Sequence, residues 1–188
     1  MRKWFPVLIF LFFLCGCGGQ TPDPGLALRG RVLEGCCFDA EITADYGDSL
    51  SVFSVRCQAD DQGKTAFTVT APESIAGISG TLAAGTGKLL FGGEKALAFP
   101  LLADGLLTPA AAPWIFVRTL RSGNFIAAGQ EGGVTRLSID DSFREDALRL
   151  DIWLDGAGDP ERADISYGGQ RYLSMGITNF RTEENGGA

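Results

Sequence analysis

The sequence predicts a mainly β fold of the α+β class, an antiparallel sheet of about eleven strands with one or two helices against it. Three observations predict it. Apolar and polar residues alternate with period two in short runs, the pattern of strands with one buried face. Glycine-rich turn signals separate those runs. One mid-chain segment instead carries the Ala, Leu and Pro content of a helix.

The first candidate element is a weak helix over 26–33, where Leu26, Leu28, Val32 and Leu33 cluster without clear periodicity. Six strands follow, over 38–45, 50–57, 66–71, 78–83, 88–91 and 95–99; in the first, Phe38, Ala40, Ile42 and Ala44 alternate with Asp39, Glu41, Thr43 and Asp45. The helical segment spans 108–123, with Arg118 and Arg121 in its last turn and Gly123 at its stop. Pro113 lacks the amide that an interior position should donate, so a loose first turn and a firm helix from Pro113 are expected. Five more strands are read over 125–128, 134–139, 147–154, 164–167 and 171–177. The turns Phe91-Gly92-Gly93-Glu94-Lys95 and Tyr167-Gly168-Gly169-Gln170-Arg171 are nearly alike. Their similarity stops at the turn, so shared turn chemistry explains it better than an internal repeat.

A turn at Tyr46-Gly47 would oppose Phe38 with Val55, Ala40 with Phe53 and Cys36 with Cys57. That register puts apolar against apolar and predicts a Cys36–Cys57 disulfide, with Cys37 an odd thiol on the other face. Three reduced core thiols are the alternative. A zinc site ranks below both, because the chain has no histidine to supply a fourth ligand.

At the N-terminus Arg2 and Lys3 precede an apolar run over 4–14. Eleven residues are too few to span a bilayer, which takes about 20, and fit the h-region of a signal peptide. Leu14-Cys15-Gly16-Cys17 resembles the lipobox of bacterial lipoproteins, in which a Leu three positions before and a small residue just before mark the lipidated Cys. Cys17 fits that role; Cys15 fits worse, since Phe13 and Leu14 precede it. An ordinary secretory signal would end in an A-x-A-like site, which is missing here, and either reading implies export. The expected organisation is a signal peptide over 1–16, a lipidated Cys17 and flexible tether over 17–25, one β domain over 26–180 and a polar tail over 181–188.

Loss of the signal takes the formal net charge from −7 to −9. Such an acidic chain is no nucleic-acid binder, and anionic headgroups would repel it. Attachment therefore falls to the lipid, and the lipoprotein pattern implies the two or more acyl chains that stable anchoring needs.

Catalytic signatures are missing. Without histidine there is no Ser-His or Cys-His pair, and none of Lys64, Lys88 and Lys95 follows a serine by three. Gly85-Thr86-Gly87-Lys88 has Leu82 where a phosphate loop needs glycine and Leu89 where it needs Ser or Thr, and reads as a hairpin turn. Over 155–159 a calcium loop is imitated, but Ala157 takes a ligand position and Ser166 the position of the bidentate Glu. Asp60 with Asp61, and Asp140 with Asp141, flank turns as solvated charge. No enzyme, cofactor or metal is expected.

Two phrases carry a family resemblance. One is Phe67-Thr68-Val69-Thr70-Ala71-Pro72-Glu73-Ser74-Ile75-Ala76-Gly77-Ile78, which precedes the Pro-led helix. The other is Ile152-Trp153-Leu154-Asp155-Gly156-Ala157-Gly158-Asp159-Pro160-Glu161-Arg162-Ala163-Asp164-Ile165, a strand ending in W-x-D followed by a Gly-Pro turn. With the lipobox and tether ahead of them, they resemble the LolA-like superfamily of lipoprotein carriers and lipid-binding lipoproteins, over most of 35–180. The resemblance implies an incomplete, strongly curved antiparallel β-barrel or half-barrel, with one or two helices covering the concave face. It also implies a lipid or lipidated polypeptide held in an apolar cavity, lined by Trp114, Ile115, Phe116 and Val117 of the helix with Phe38, Phe53 and Phe67 of the sheet. The soluble carrier of that superfamily has no anchor, whereas Cys17 would tether this chain. The resulting expectation is a monomer, lipid-anchored in the bacterial cell envelope on the outer face of the cytoplasmic membrane. The competing expectation is a fully packed domain that acts as an interaction or sensory module.

Overall fold

The computed structural model describes residues 23–83, 86–92, 95–100, 102–103, 106–142 and 147–182. The expected signal peptide, Cys17, the tether up to residue 22 and the tail from residue 183 lie outside them. Helix α1 (Pro24–Leu33) leads into β1 (Cys36–Asp45), β2 (Leu50–Ala59), β3 (Thr65–Ala71), β4 (Ser79–Ala83), β5 (Thr86–Phe91) and β6 (Lys95–Pro100). A short ribbon, β7 (Leu102–Ala103) and β8 (Leu106–Leu107), precedes helix α2 (Ala112–Ser122). The chain ends with β9 (Asn124–Glu131), β10 (Val134–Asp140), β11 (Leu148–Leu154), β12 (Pro160–Tyr167) and β13 (Gln170–Thr182).

Eleven strands form one antiparallel sheet in the order β6-β5-β4-β3-β2-β1-β13-β12-β11-β10-β9. Each expected strand is present. The ribbon β7–β8 is additional, its two-residue strands being too short to carry an alternation. Only β1–β13 joins strands distant in sequence, and β6 and β9 remain edges, so the sheet is an unclosed barrel. Its curvature follows from α2, which packs against β2 and β3 and also against β10 and β12. In a flat sheet the six spacings from β3 to β10 would span about 29 Å at ~4.8 Å each, whereas a helix is about 10–12 Å wide. The sheet must wrap around the helix.

The alternation decides which face turns inward. Cys36, Phe38, Ala40, Ile42 and Ala44 of β1 are buried, and the residues between them are not. The same face continues through Val55 and Cys57, Phe67 and Val69, then Leu173 and Met175, Ile165, Leu150 and Ile152.

Helix α1 starts earlier than expected. The Asp23 carboxylate accepts from the amides of Gly25 (2.8 Å) and Leu26 (3.3 Å), an N-cap, and Pro24 takes the first helical position, where its missing amide is not needed. Pro24 and Gly25, read from the sequence as the end of the tether, are therefore its first turn. Arg181 and Thr182, read as tail, close β13. For α2 the expectation holds: a 3₁₀ turn over Pro109–Ala111 runs into an α-helix with Pro113 in its first turn.

The β1–β2 register corrects the expected one by two residues. Phe38 faces Cys57, Ala40 faces Val55, Ile42 faces Phe53, and Cys36 faces Ala59. The cause is a four-residue loop over 46–49 rather than a tight turn: Tyr46 N–H donates to the Ser49 carbonyl (3.0 Å), and Gly47 takes the φ of +83° that glycine tolerates. A shift of two keeps each side chain on its face, so the apolar pairing survives while the disulfide does not. Cys36 and Cys57 become diagonal neighbours, which in a ladder stand about 7–8 Å apart, against the roughly 4.4–6.8 Å a disulfide spans between Cα atoms. None of Cys36, Cys37 and Cys57 is joined in a disulfide. Thr86 and Gly87, read as turn residues, belong to β5.

Candidate functional site

The residues expected to line a cavity do come together. Phe116, Ile115 and Val117 of α2 are fully buried, Trp114, Phe38 and Phe67 nearly so, and Phe53 is partly buried against the same cluster. The Phe38 and Phe116 rings meet edge to face at 5.4 Å. These side chains fill the middle of the concave face themselves. Trp114 reaches its margin, where it lines a groove of about 430 Å³ with Gln62, Gly63, Lys64, Ala83 and Arg118. The Arg118 guanidinium lies 5.2 Å from the indole ring.

Apolar surface opens farther along the sheet. On β5 and β6 the concave side carries Leu89 opposite Leu97, with Phe91 two residues beyond Leu89. Leu97 is 55% exposed, Phe91 39%, and Leu89 half-buried. One step inward the same face closes: Phe99 sits over Gly87 and Phe67 over Gly80, each ring against a glycine on the neighbouring strand.

The convex side of β10–β13 holds a polar lattice that sequence reasoning missed. Trp153 of β11 faces Arg136 of β10 on one flank and Arg162 of β12 on the other, at 5.1 and 4.4 Å from its ring. In the next row Ser138, Asp151, Asp164 and Ser174 stand side by side across four strands. Both carboxylates are buried. Ser138 donates its hydroxyl to Asp151, which also takes Arg136 (3.3 Å) and Arg149 (3.4 Å). Asp164 takes Arg162 (2.7 Å) and Arg171 (3.3 Å). Burial works against the Arg136 charge, but Asp151 and Glu131 outweigh it and hold its pKa above the usual value. Two adjacent carboxylates are thus each neutralised by two guanidiniums, an arrangement suited to structure rather than proton transfer. The signal lay in the polar half of three alternations, Arg136-x-Ser138, Arg149-x-Asp151-x-Trp153 and Arg162-x-Asp164. It becomes visible only once the strand order places them side by side.

The remaining candidates are turns. Asp60 accepts from the amides of Gln62 (3.0 Å) and Lys64 (2.9 Å). Asp155 accepts from those of Ala157 and Asp159, both at 2.8 Å, an Asx turn with no calcium geometry. Among the described residues no group of three or more His, Cys, Asp or Glu side chains is placed to hold a metal ion. No helix among them is long and apolar enough to cross a membrane.

No protein-family model matches the chain, and no curated protein does. Solved structures are similar to it in fold. A LolA superfamily protein from Nitrosomonas europaea matches at 7% identity with a TM-score of 0.45, over 85% of this chain and 94% of that one. An uncharacterized conserved protein from Thermus thermophilus matches at 11% and 0.46, over 85% and 86%. A putative outer membrane lipoprotein-sorting protein domain from Vibrio parahaemolyticus matches at 10% and 0.43, over 86% and 92%. At these identities the likeness lies in the fold alone.

Proposed function

We propose that the chain is an exported, lipid-anchored, non-catalytic protein that binds a lipid or another long apolar ligand on the concave side of its open sheet. The observation that carries this reading is the apolar row of exposed Phe91 and Leu97 with half-buried Leu89, on strands beyond β2 and β3, against which α2 packs. An acyl chain laid on that row would leave water at about 0.8 kcal/mol per buried CH₂. The lipobox at Cys17 supports attachment to the outer face of the cytoplasmic membrane, and the lack of histidine in the chain supports a role without catalysis.

A fluorescent fatty-acid or phospholipid probe should saturate one site on the mature chain. Leu97→Asp and Phe91→Asp should abolish saturation while leaving the melting temperature unchanged, because both positions are exposed. Loss of fold in both variants, or no saturable binding by the parent, would count against the site. For the anchor, Cys17→Ser should release the protein from membranes in a native host; extraction that still needs detergent would refute lipidation there.

A second reading, a cell-envelope interaction module, draws on the Arg136, Trp153 and Arg162 row, since Arg and Trp dominate protein-interface energetics. It predicts that mutation of this row, and not of Leu97, removes the activity.

A further inference from the structure

Helix α1 has an outward face without charge. Its ten residues include no acid, and its two cations are turned to protein partners. Arg29 donates to the carbonyls of Leu120 (2.6 Å) and Gly123 and stacks 4.3 Å from the Phe125 ring. Arg31 pairs with Asp159 and donates to the Gly158 carbonyl (2.6 Å). Between the flanking arginines the helix presents Leu26, Ala27, Gly30 and Leu33, whose spacing makes one face and which are all exposed, Leu26 at 58% and Leu33 at 44%. The nearest acids in sequence, Asp23 and Glu34, stand at the two caps, and Asp159 is engaged by Arg31.

We propose that this face lies on the outer surface of the lipid bilayer, so that the acyl chains supply affinity while α1 sets the orientation of the sheet above the membrane. The inference rests on the reading of Cys17 as the anchor. Seven Cα steps separate Cys17 from Pro24, and an extended chain covers at most about 3.6 Å per step, so the start of α1 stays within about 25 Å of the anchored residue. Of the described elements, α1 is the one held on the shortest tether from the anchor. Charge favours the same surface: an acidic chain is repelled by anionic headgroups, and a helix with no acid along its length bears least of that repulsion. Two leucines bury too little to hold a free chain on a membrane, but a tether raises the local concentration enough for a weak contact to matter.

The test is a tryptophan placed on the face. Leu33→Trp in the full lipoprotein, reconstituted into phosphatidylethanolamine–phosphatidylglycerol vesicles, should be quenched by acyl-chain-brominated lipid at least threefold more than Leu50→Trp, a still more exposed site on β2. Trp114 and Trp153 are buried and contribute a constant background. Leu26→Trp repeats the measurement if Leu33→Trp misfolds. Equal quenching at Leu33 and Leu50 overturns the inference. So does shielding of Leu33→Trp from aqueous iodide without quenching by brominated lipid, which would mean that a protein covers the face. Flotation separates the two readings. A chain that does not float lacks its lipid, and it is then tethered through an N-terminal histidine tag on nickel-chelating lipid and the quenching read again.

Discussion

Phe67 on β3 stands directly opposite Gly80 on β4, and its ring occupies the space that a side chain at residue 80 would need: an added Cβ would lie 2.4 Å from Phe67 Cζ. Gly87 and Phe99 repeat the relationship across β5–β6, at 2.2 Å. Covering a strand glycine with a cross-strand ring lets the arm of the sheet keep a large side chain inside without bulging. Phe67 is buried, and the Lys88 carbonyl stands 3.1 Å from the same Cβ position, so nothing there can yield easily. Gly80→Ala should cost about 1–3 kcal/mol, as overpacking does, with part recovered in the Gly80→Ala/Phe67→Leu double variant. Phe99 belongs to an edge strand and can move, so Gly87→Ala should cost less. Urea denaturation of these three variants and of Phe67→Leu alone checks both statements; additive losses at residues 67 and 80 would show that the ring is not the obstacle.

A second relationship ties β13 to β1. Asn179 and Phe180 together oppose Phe38 in a bulge, and Asn179 takes φ +53°, a left-handed conformation that Asn tolerates. Its amide donates to Asp39 (2.8 Å), as Arg56 does (3.2 Å). The Asn179 hydrogen bond first, and then Arg56, hold the Asp39 carboxyl below its ordinary pKa against the opposing pull of burial. With the folded pKa below the unfolded one, the stabilisation is complete above the unfolded value of about 3.9 and fades as pH falls through the folded value. Asn179→Gly should raise the Asp39 pKa, read by NMR titration, while sparing the backbone. Asn179→Ala should raise it equally and cost about 1–2 kcal/mol more for a Cβ in the left-handed region.

The strands and α2 were legible in the sequence because period-two alternation and a Pro-led, Gly-stopped segment are local signals. The β1–β2 register was not, because loop length rather than side-chain pattern fixes it, and a shift of two leaves the pattern satisfied. That is why Phe38, Ala40 and Val55 were placed on the correct face while the Cys36–Cys57 pairing was mistaken. The cavity residues were legible as a cluster, since apolar residues of α2 must meet the concave face. An amphipathic helix reads alike whether it lids a cavity or fills it, so the burial of Trp114 and Phe116 could not be read ahead. Trp114→Asp consequently tests core packing, and the ligand row is probed at Leu97. The Arg136, Trp153 and Arg162 ladder needed strand order, which no local window contains.

Asp151 and Asp164 stand opposite each other across β11–β12, and their surroundings differ. Asp151 accepts from Ser138, which is itself buried, whereas the arginines on Asp164 are half exposed and can turn to water. Asp151→Ala leaves a buried hydroxyl without its acceptor, at about 1–3 kcal/mol, and should therefore destabilise more than Asp164→Ala. Arg162→Ala should uncover Trp153 and shift its emission to the red, giving an optical readout of the lattice in a Trp114→Phe background. If emission is unchanged, the guanidinium does not cover the indole.

The thiols give the last prediction. Cys57 faces the concave core opposite Phe38, and burial, followed by its neighbours Cys36 and Asp39, pushes its pKa far above the ordinary thiol value. Alkylation requires the thiolate, so at pH 8 the folded protein should leave Cys57 unmodified. Cys36 is buried beside it, whereas Cys37 alternates to the opposite face and is half exposed. Iodoacetamide on the native protein, followed by peptide mass spectrometry, should therefore label Cys37 alone. Cys36 and Cys57 should react only in denaturant, or natively at the slow rate at which β1 and β2 separate, since both lie in one ladder and open together. A peptide linked through Cys36 and Cys57 in the unreduced protein would instead demand the register that opposes those two residues, and with it a tight turn at Tyr46-Gly47 in place of the four-residue loop.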